Sequence, residues 1–238
     1  MTDLITSVLS SDRVRWPERL SARAELALVL LPTVGLFTLF AVIRLVQQHG
    51  ALTLSVTDAR LWGLFAEEVL IGGAVTWFLA RRGWRLAKMG PPPQGYDVLR
   101  SIGVLAYSWL VLIALNLACW LIAPEQQSAA AGFHFTGHPS WAPIAAVVIL
   151  DPILEELLFL GYLVNRLRHR GVLVAAGVSI GLRTIVHAYQ GPVALLGILP
   201  LGVVYTRYYL RSGRLWPVIG AHMCQDALAF ALLLHGTA

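Results

Sequence analysis

Charged residues are scarce in this sequence. Lysine, arginine, aspartate and glutamate make up only 13% of its 238 residues, whereas hydrophobic residues make up 57%. Soluble domains carry about a quarter charged residues, so this composition excludes an ordinary soluble domain. The mean hydropathy of +0.69 predicts instead an all-α, multi-pass membrane protein.

Several kinds of reactive centre are also missing. Cys119 and Cys224 fall in different apolar segments and match no metal or redox spacing, so we interpret them as packing residues. No His-Glu-x-x-His string occurs, which argues against a zincin-type zinc peptidase. The string from Gly177 to Gly181 has the Gly-x-Ser-x-Gly spacing, but it lies in an apolar helix rather than a strand-turn-helix.

What the chain does contain is a series of apolar segments long enough to cross a bilayer. About 20 apolar residues suffice for one helical crossing. We therefore predict about seven transmembrane helices. They cover residues 25–46, 61–80, 99–122, 141–165, 172–190, 193–210 and 215–235.

The basic residues predict the orientation of these spans. Most of the 18 lysines and arginines fall in the N-terminal segment and in the loops that would lie on the same side. The positive-inside rule then places the N-terminus in the cytoplasm, and we expect a bacterial plasma membrane. Anionic lipid explains the net charge of +5, so we predict membrane lipid and no nucleic acid as a partner. We expect residues 1–24 to form a cytoplasmic, amphipathic segment and residues 25–123 to form the first three spans.

Six carboxylates interrupt the apolar segments. A carboxylate at the bilayer centre costs about 2.5–3.5 kcal/mol, which makes each of them a candidate functional residue. Asp151 precedes Pro152, a pair typical of a helix start, so we predict a capping role. Glu67 and Glu68 lie near the outer end of the second span, which favours an interfacial or substrate-entrance role. The six are Glu67, Glu68, Asp151, Glu155, Glu156 and Asp226.

The spacing of the acids and histidines predicts a common site. Residues 166–171 form a basic turn, and Glu155 and His187 each lie about 23 Å from it along neighbouring helices. His222 and Asp226 are four residues apart and share a helix face. A buried glutamate can serve as a general base, and imidazoles can hold water or a metal. The same groups would also suit a proton relay in a transporter or channel, or polar packing in a membrane scaffold.

These residues resemble the CAAX prenyl protease and bacteriocin-processing (CPBP) family of intramembrane proteases. The family pattern is a Glu-Glu motif ending in Arg, then Phe-x-x-x-His, then His-x-x-x-Asn/Asp, on successive helices. The resemblance covers residues 141–235 and implies a catalytic membrane core. It implies that Glu155 activates water, Glu156 is its companion, His187 holds water or metal, and His222 and Asp226 face the oxyanion.

The resemblance also raises questions of substrate, metal and charge. It implies a membrane-associated or lipidated peptide or protein as substrate. It leaves open a divalent metal such as zinc at Glu155, His187 and His222, because family members are described both as metal-dependent and as glutamate proteases. Leu160 stands where the family has Arg, and Arg183 stands where it has Phe. We therefore hypothesise that Arg183 supplies the missing positive charge, since it lies one turn before His187.

Overall fold

A computed structural model describes residues 20–47, 52–122, 133–190 and 192–236. Residues 1–19 are outside this set, so the predicted amphipathic segment is almost entirely outside the described residues. The described residues form long helical segments, three of which change from α to π or 3-10 geometry along their length.

The α-helices are numbered here in chain order. They are α1 (Ala22–Leu30), α2 (Leu36–Gln47), α3 (Asp58–Arg81), α4 (Leu86–Met89), α5 (Asp97–Ile122), α6 (Trp141–Glu156), α7 (Asn165–Leu167), α8 (Val172–Val186), α9 (Pro192–Ser212) and α10 (Trp216–Gly236). The π-helical stretches are Leu31–Gly35 and Leu157–Val164, and the 3-10 stretches are Arg168–Arg170 and His187–Gln190.

The helical class predicted from composition is confirmed. Within the described residues, four helices are long and apolar enough to cross a membrane: Ala22–Ile43, Asp58–Arg81, Asp97–Ile122 and Val172–Gln190. The count of seven spans stays a prediction. The described residues also include a short parallel pair of strands, β1 (Leu52–Ser55) and β2 (Phe133–Thr136), in which Leu52 is opposite Phe133.

Helix α6 carries the adjacent glutamates, and its start corrects one prediction. The helix begins after Ser140 and runs through Asp151 and Pro152 to Glu156. Asp151 is therefore an interior helix residue, and its predicted role as a cap is wrong. Membrane helices tolerate an interior proline because neighbouring groups can pair with the carbonyl that it leaves free.

A tight turn places α8 against the second half of the helix that begins with α6. Gly171 has φ +113°, a backbone conformation that side chains disfavour, and this lets the chain reverse after Arg168–Arg170. Ser179 on α8 donates a hydrogen bond of 2.9 Å to the carbonyl of Phe159. The predicted helical hairpin is thus confirmed, and the Gly-x-Ser-x-Gly serine is a buried packing residue.

Close approaches and ion pairs hold the other helices around α6. Helix α3 packs on α6, and a Cβ atom on Gly72 would come within 2.7 Å of a methyl group of Leu154. Helix α10 packs on both α5 and α6. Before α10, Arg214 donates hydrogen bonds of 2.8 and 2.6 Å to Asp97, which raise the pKa of the arginine above its ordinary value.

A buried glutamate connects the first helix to the middle of the bundle. Glu25 on α1 accepts hydrogen bonds from Arg82 (2.8 Å), the Trp84 indole (3.2 Å) and the Tyr162 hydroxyl (3.2 Å). Arg166 lies 3.2 Å from the same carboxylate. Because these partners come from the end of α3 and from the helical segment after α6, we interpret Glu25 as a structural anchor.

Candidate active site

Glu156 lies at the centre of a fully paired, buried cluster. Its residue is 0% exposed, and Arg183 on α8 donates to both carboxylate oxygens at 2.7 Å. The same guanidinium lies over the ring of Phe159, 5.0 Å from its centroid. His222 Nδ1 on α10 lies 2.8 Å from Glu156 Oε1. We call Glu156, Arg183 and His222 the paired cluster.

Asp226 extends this cluster along α10. Its Oδ2 lies 3.7 Å from His222 Nε2, so the aspartate and the paired glutamate contact opposite nitrogens of one imidazole. The ring of Tyr205 on α9 lies 5.8 Å from that of His222. The Tyr205 hydroxyl is buried and has no hydrogen-bond partner in the part of the chain that is described.

Glu155 has a different environment, although it is the next residue. Its side chain is 16% exposed, and its Oε1 lies 3.7 Å from His187 Nε2. Arg183 Nη1 approaches Glu155 Oε2 only to 3.7 Å, and that oxygen lacks a hydrogen-bond partner among the described residues. His187 Nδ1 lies 2.8 Å from the Arg183 carbonyl, so Nδ1 must carry the hydrogen. In the neutral imidazole, Nε2 therefore presents a lone pair towards Glu155.

The gap between Glu155 and His187 opens into a cavity of about 420 Å³. Glu68, Asp151, Glu155 and His187 line one end of it. Its middle is apolar, and Trp84 and Arg85 line the part beyond the end of α3. The apolar lining includes Ile71, Val75, Leu79, Leu154, Leu157 and Leu158. We call Glu68, Asp151 and Glu155 the cavity acids.

The structure brings the predicted site residues into one place. Glu155, Glu156, Arg183, His187 and His222 are connected by contacts of 2.7–3.7 Å. Their catalytic roles stay predictions.

Two further acids reach the same cavity. Asp151 precedes Glu155 by four residues and so shares its helix face, a signal that the capping interpretation overlooked. Glu68 reaches the cavity from α3. In the sequence it was a candidate only because a carboxylate within a membrane-spanning segment costs free energy.

One group of acids and a histidine has the spacing of a divalent-metal site. Ligand atoms of Glu155, Glu156 and His222 lie within 4.8 Å of one another, a set that replaces the predicted His187 by Glu156. However, both oxygens of Glu156 already accept hydrogen bonds from Arg183, and His222 Nδ1 contacts one of them. A divalent cation bound there would lie beside a buried guanidinium, with strong charge repulsion. The arrangement therefore does not fit a resident metal.

Comparison with known proteins supports the interpretation of the second half of the chain. Residues 137–228 match the family model described as Type II CAAX prenyl endopeptidase Rce1-like. This match confirms the resemblance to the CPBP family, and the matched family is one of proteases. No curated protein and no solved structure matches the chain. The matched segment contains the paired cluster, Glu155, His187 and Asp226.

Proposed function

We propose, from the match of residues 137–228 to a family of prenyl endopeptidases, that the chain is an intramembrane endopeptidase. In this proposal Glu155 activates the water that attacks the peptide bond. The observation that carries it is the contrast between adjacent glutamates: Glu155 faces a cavity beside His187, whereas Glu156 is sealed and fully paired.

The hydrogen bonds support this assignment of the base. A general base needs a lone pair within reach of the proton that it removes. Arg183 and His222 occupy the oxygens of Glu156, so that carboxylate is unsuited to removing a proton from water. Glu155 has an oxygen without a hydrogen-bond partner among the described residues and an imidazole 3.7 Å from the other. One water between Glu155 and His187 would satisfy both groups.

The reaction would then proceed in two proton transfers. Glu155 takes a proton from water as its oxygen bonds to the substrate carbonyl carbon, and negative charge develops on the carbonyl oxygen. We propose that His222, held through Nδ1 by Glu156, donates to that oxyanion from Nε2, which lies 3.7 Å from Asp226. The protonated Glu155 gives the proton to the amide nitrogen, the carbon–nitrogen bond breaks, and a carboxylic acid and an amine leave.

Arg183 has a positioning role in this scheme. It neutralises Glu156 from α8, and Leu160, at the position where the family pattern has Arg, is 0% exposed and part of the hydrophobic core. These contacts support the hypothesis that the positive charge has moved from position 160 to position 183. Without it, Glu156 would be a buried, unbalanced charge next to the base.

The cavity supports a membrane-associated or lipidated peptide or protein as substrate. Most of the residues that line it are apolar, and the carboxylates in its lining are the three cavity acids. An extended apolar chain could lie along α3 and α6 with its reactive bond at Glu155. We also propose that the chain crosses the membrane seven times, with its N-terminus in the cytoplasm.

The test is cleavage of a panel of fluorogenic peptides by the protein purified in detergent. Glu155→Gln should lower kcat/KM by about 10²–10⁴-fold, the usual contribution of a general base, because an amide cannot take the proton. The matched control is Glu125→Gln, the same change at a glutamate outside helices α3 and α6. It should leave cleavage within about twofold.

The outcome separates the protease from its rivals. Both variants should elute and melt as the wild type does, which shows that folding is not the cause of lost cleavage. A wild-type protein that cleaves no peptide but moves protons in liposomes would be a transporter. A wild-type protein that shows neither cleavage nor proton flux would be a membrane scaffold.

A further inference from the structure

Glu68 is a buried acid that the proposed hydrolysis does not use. Its residue is only 7% exposed, and its Oε2 has no hydrogen-bond partner among the described residues. It lines the same end of the cavity as Asp151 and Glu155, but it comes from a different helix, α3. An unpaired buried carboxylate is costly, so its position facing the cavity requires a physical reason.

The acids around this end of the cavity outnumber the cations. Glu155, Glu67 and Asp226 act electrostatically on Glu68, and Glu155, Glu68 and Asp226 act on Asp151. With Glu156 these are six carboxyl groups. Their cationic partners are Arg183 and, when protonated, His187 and His222. With every carboxyl group ionised and both histidines charged, three negative charges would have no partner.

The local cations cannot reach the remaining acids. Arg183 is held by both oxygens of Glu156, and its closest approach to a cavity acid is the 3.7 Å contact with Glu155. Arg85 lies beyond the end of α3 at Arg81, and the helix from Glu68 to Arg81 alone spans about 20 Å. A cation for Glu68 and Asp151 would therefore have to enter through the cavity.

We propose that Glu68 and Asp151 form a subsite for a cationic side chain of the substrate, a lysine or an arginine close to the scissile bond. This rests on the proposed endopeptidase function. A protonated nitrogen between the two carboxylates would offset their repulsion and satisfy the free Glu68 oxygen. It would also orient the neighbouring peptide bond towards Glu155, which shares a helix face with Asp151. The ion pair would be strong because the cavity walls are apolar.

The test compares substrates that differ only in charge. Each peptide that the wild type cleaves is made again in N-acetylated form. Lysine, glutamine or glutamate is placed at one position at a time, for every position within three residues of the cleaved bond. We expect one position at which the wild type prefers lysine over glutamine by about tenfold or more in kcat/KM. Glutamate at that position should be the poorest, since unpaired or like charges in a polar site are strongly rejected.

Variants then assign the preference to the two acids. Glu68→Gln and Asp151→Asn should each reduce the lysine-to-glutamine ratio of kcat/KM towards one and relieve the rejection of glutamate. Glu125→Gln, the same change at a glutamate outside helices α3 and α6, should keep the wild-type ratio. If Glu68→Gln does not fold, Asp151→Asn and the wild-type ratio still decide the question.

Two results would overturn the subsite. One is equal wild-type cleavage of the lysine and glutamine peptides at all positions. The other is a fall in kcat/KM that Glu68→Gln shows by the same factor for the lysine and glutamine peptides. That result would assign Glu68 to proton transfer rather than substrate recognition. A wild-type protein that cleaves none of the peptides would instead refute the endopeptidase function itself.

Discussion

The two faces of one helix end differ sharply in this molecule. On one face, the paired cluster encloses Glu156 with a guanidinium and an imidazole at 2.7–2.8 Å. On the other, Glu155 meets His187 only at 3.7 Å and borders a cavity with two more acids. Neighbouring helix residues point about 100° apart, so adjacent identical side chains can enter different environments.

This difference explains how one short motif can combine rigidity with reactivity. A buried carboxylate whose oxygens are occupied holds three helices in register but has little capacity to take up a proton. A carboxylate that is only partly paired can bind water and substrate. The first supports the second, because Arg183 contacts both glutamates from the same guanidinium.

The largest structural effect is expected from breaking the paired cluster. Arg183→Leu leaves Glu156 buried without its main cationic partner, which typically costs about 3–5 kcal/mol. We expect a clear fall in the melting temperature in detergent and loss of peptide cleavage. Arg207→Leu is the matched control, because Arg207 is exposed on α9 and should change the melting temperature little.

The double variant Arg183→Leu with Glu156→Leu sharpens this test. Removing both charges should restore most of the lost stability, since an apolar pair often replaces a buried ion pair at little cost. Cleavage should stay absent, because His222 loses its partner. A double variant that cleaves as the wild type does would contradict the positioning role of the paired cluster.

The cavity face should respond to overpacking at Gly72. A valine there would press on Leu154, since even a Cβ atom would come within 2.7 Å of that side chain. The helix α3 would move away from α6, at a cost of about 1–3 kcal/mol, and would displace Glu68 from the cavity end. Gly73→Val is the control, because a Cβ atom there meets no atom within 4 Å.

The melting temperature and kcat/KM of both variants test this prediction. Gly72→Val should lower the melting temperature and alter kcat/KM, whereas Gly73→Val should do neither. Equal behaviour of the two variants would show that the close packing of α3 on α6 does not shape the cavity.

The smallest effect is expected at the edge of the paired cluster. Asp226→Asn keeps a side-chain oxygen near His222 Nε2, which is now 3.7 Å from the aspartate. The family pattern has Asn or Asp at this position, so we expect kcat/KM to stay within about tenfold of the wild type. Asp226→Leu removes the polar group and should cost more. Equal losses in both variants would mean that the negative charge, rather than a polar contact, is required.

Much of the helical core could be predicted from the sequence. The segments predicted at 172–190, 193–210 and 215–235 closely follow the helices observed there, because glycine and basic residues mark their ends. The proximity of Glu155 to His187 also follows from counting residues either side of a turn at Gly171. Helical rise is constant enough for that count to hold across a hairpin.

Other features depended on packing between distant helices. Pro152 suggested a helix start, but the preceding apolar residues continue the helix and leave Asp151 inside it. Glu68 meets the site only because Gly72 lets α3 approach α6 closely. The anchor at Glu25 needs partners from the far end of α3 and from beyond α6, and no local pattern specifies such long-range pairs.

The proposed hydrolysis depends most on activation of water by Glu155, and oxygen labelling measures that step directly. A cleavable peptide is incubated with the purified protein in H₂¹⁸O. The mass of the product that carries the new carboxyl terminus is then measured by mass spectrometry. We expect a product carrying one ¹⁸O from the wild type and almost no product from Glu155→Gln. Labelled product formed at the wild-type rate by Glu155→Gln would contradict it.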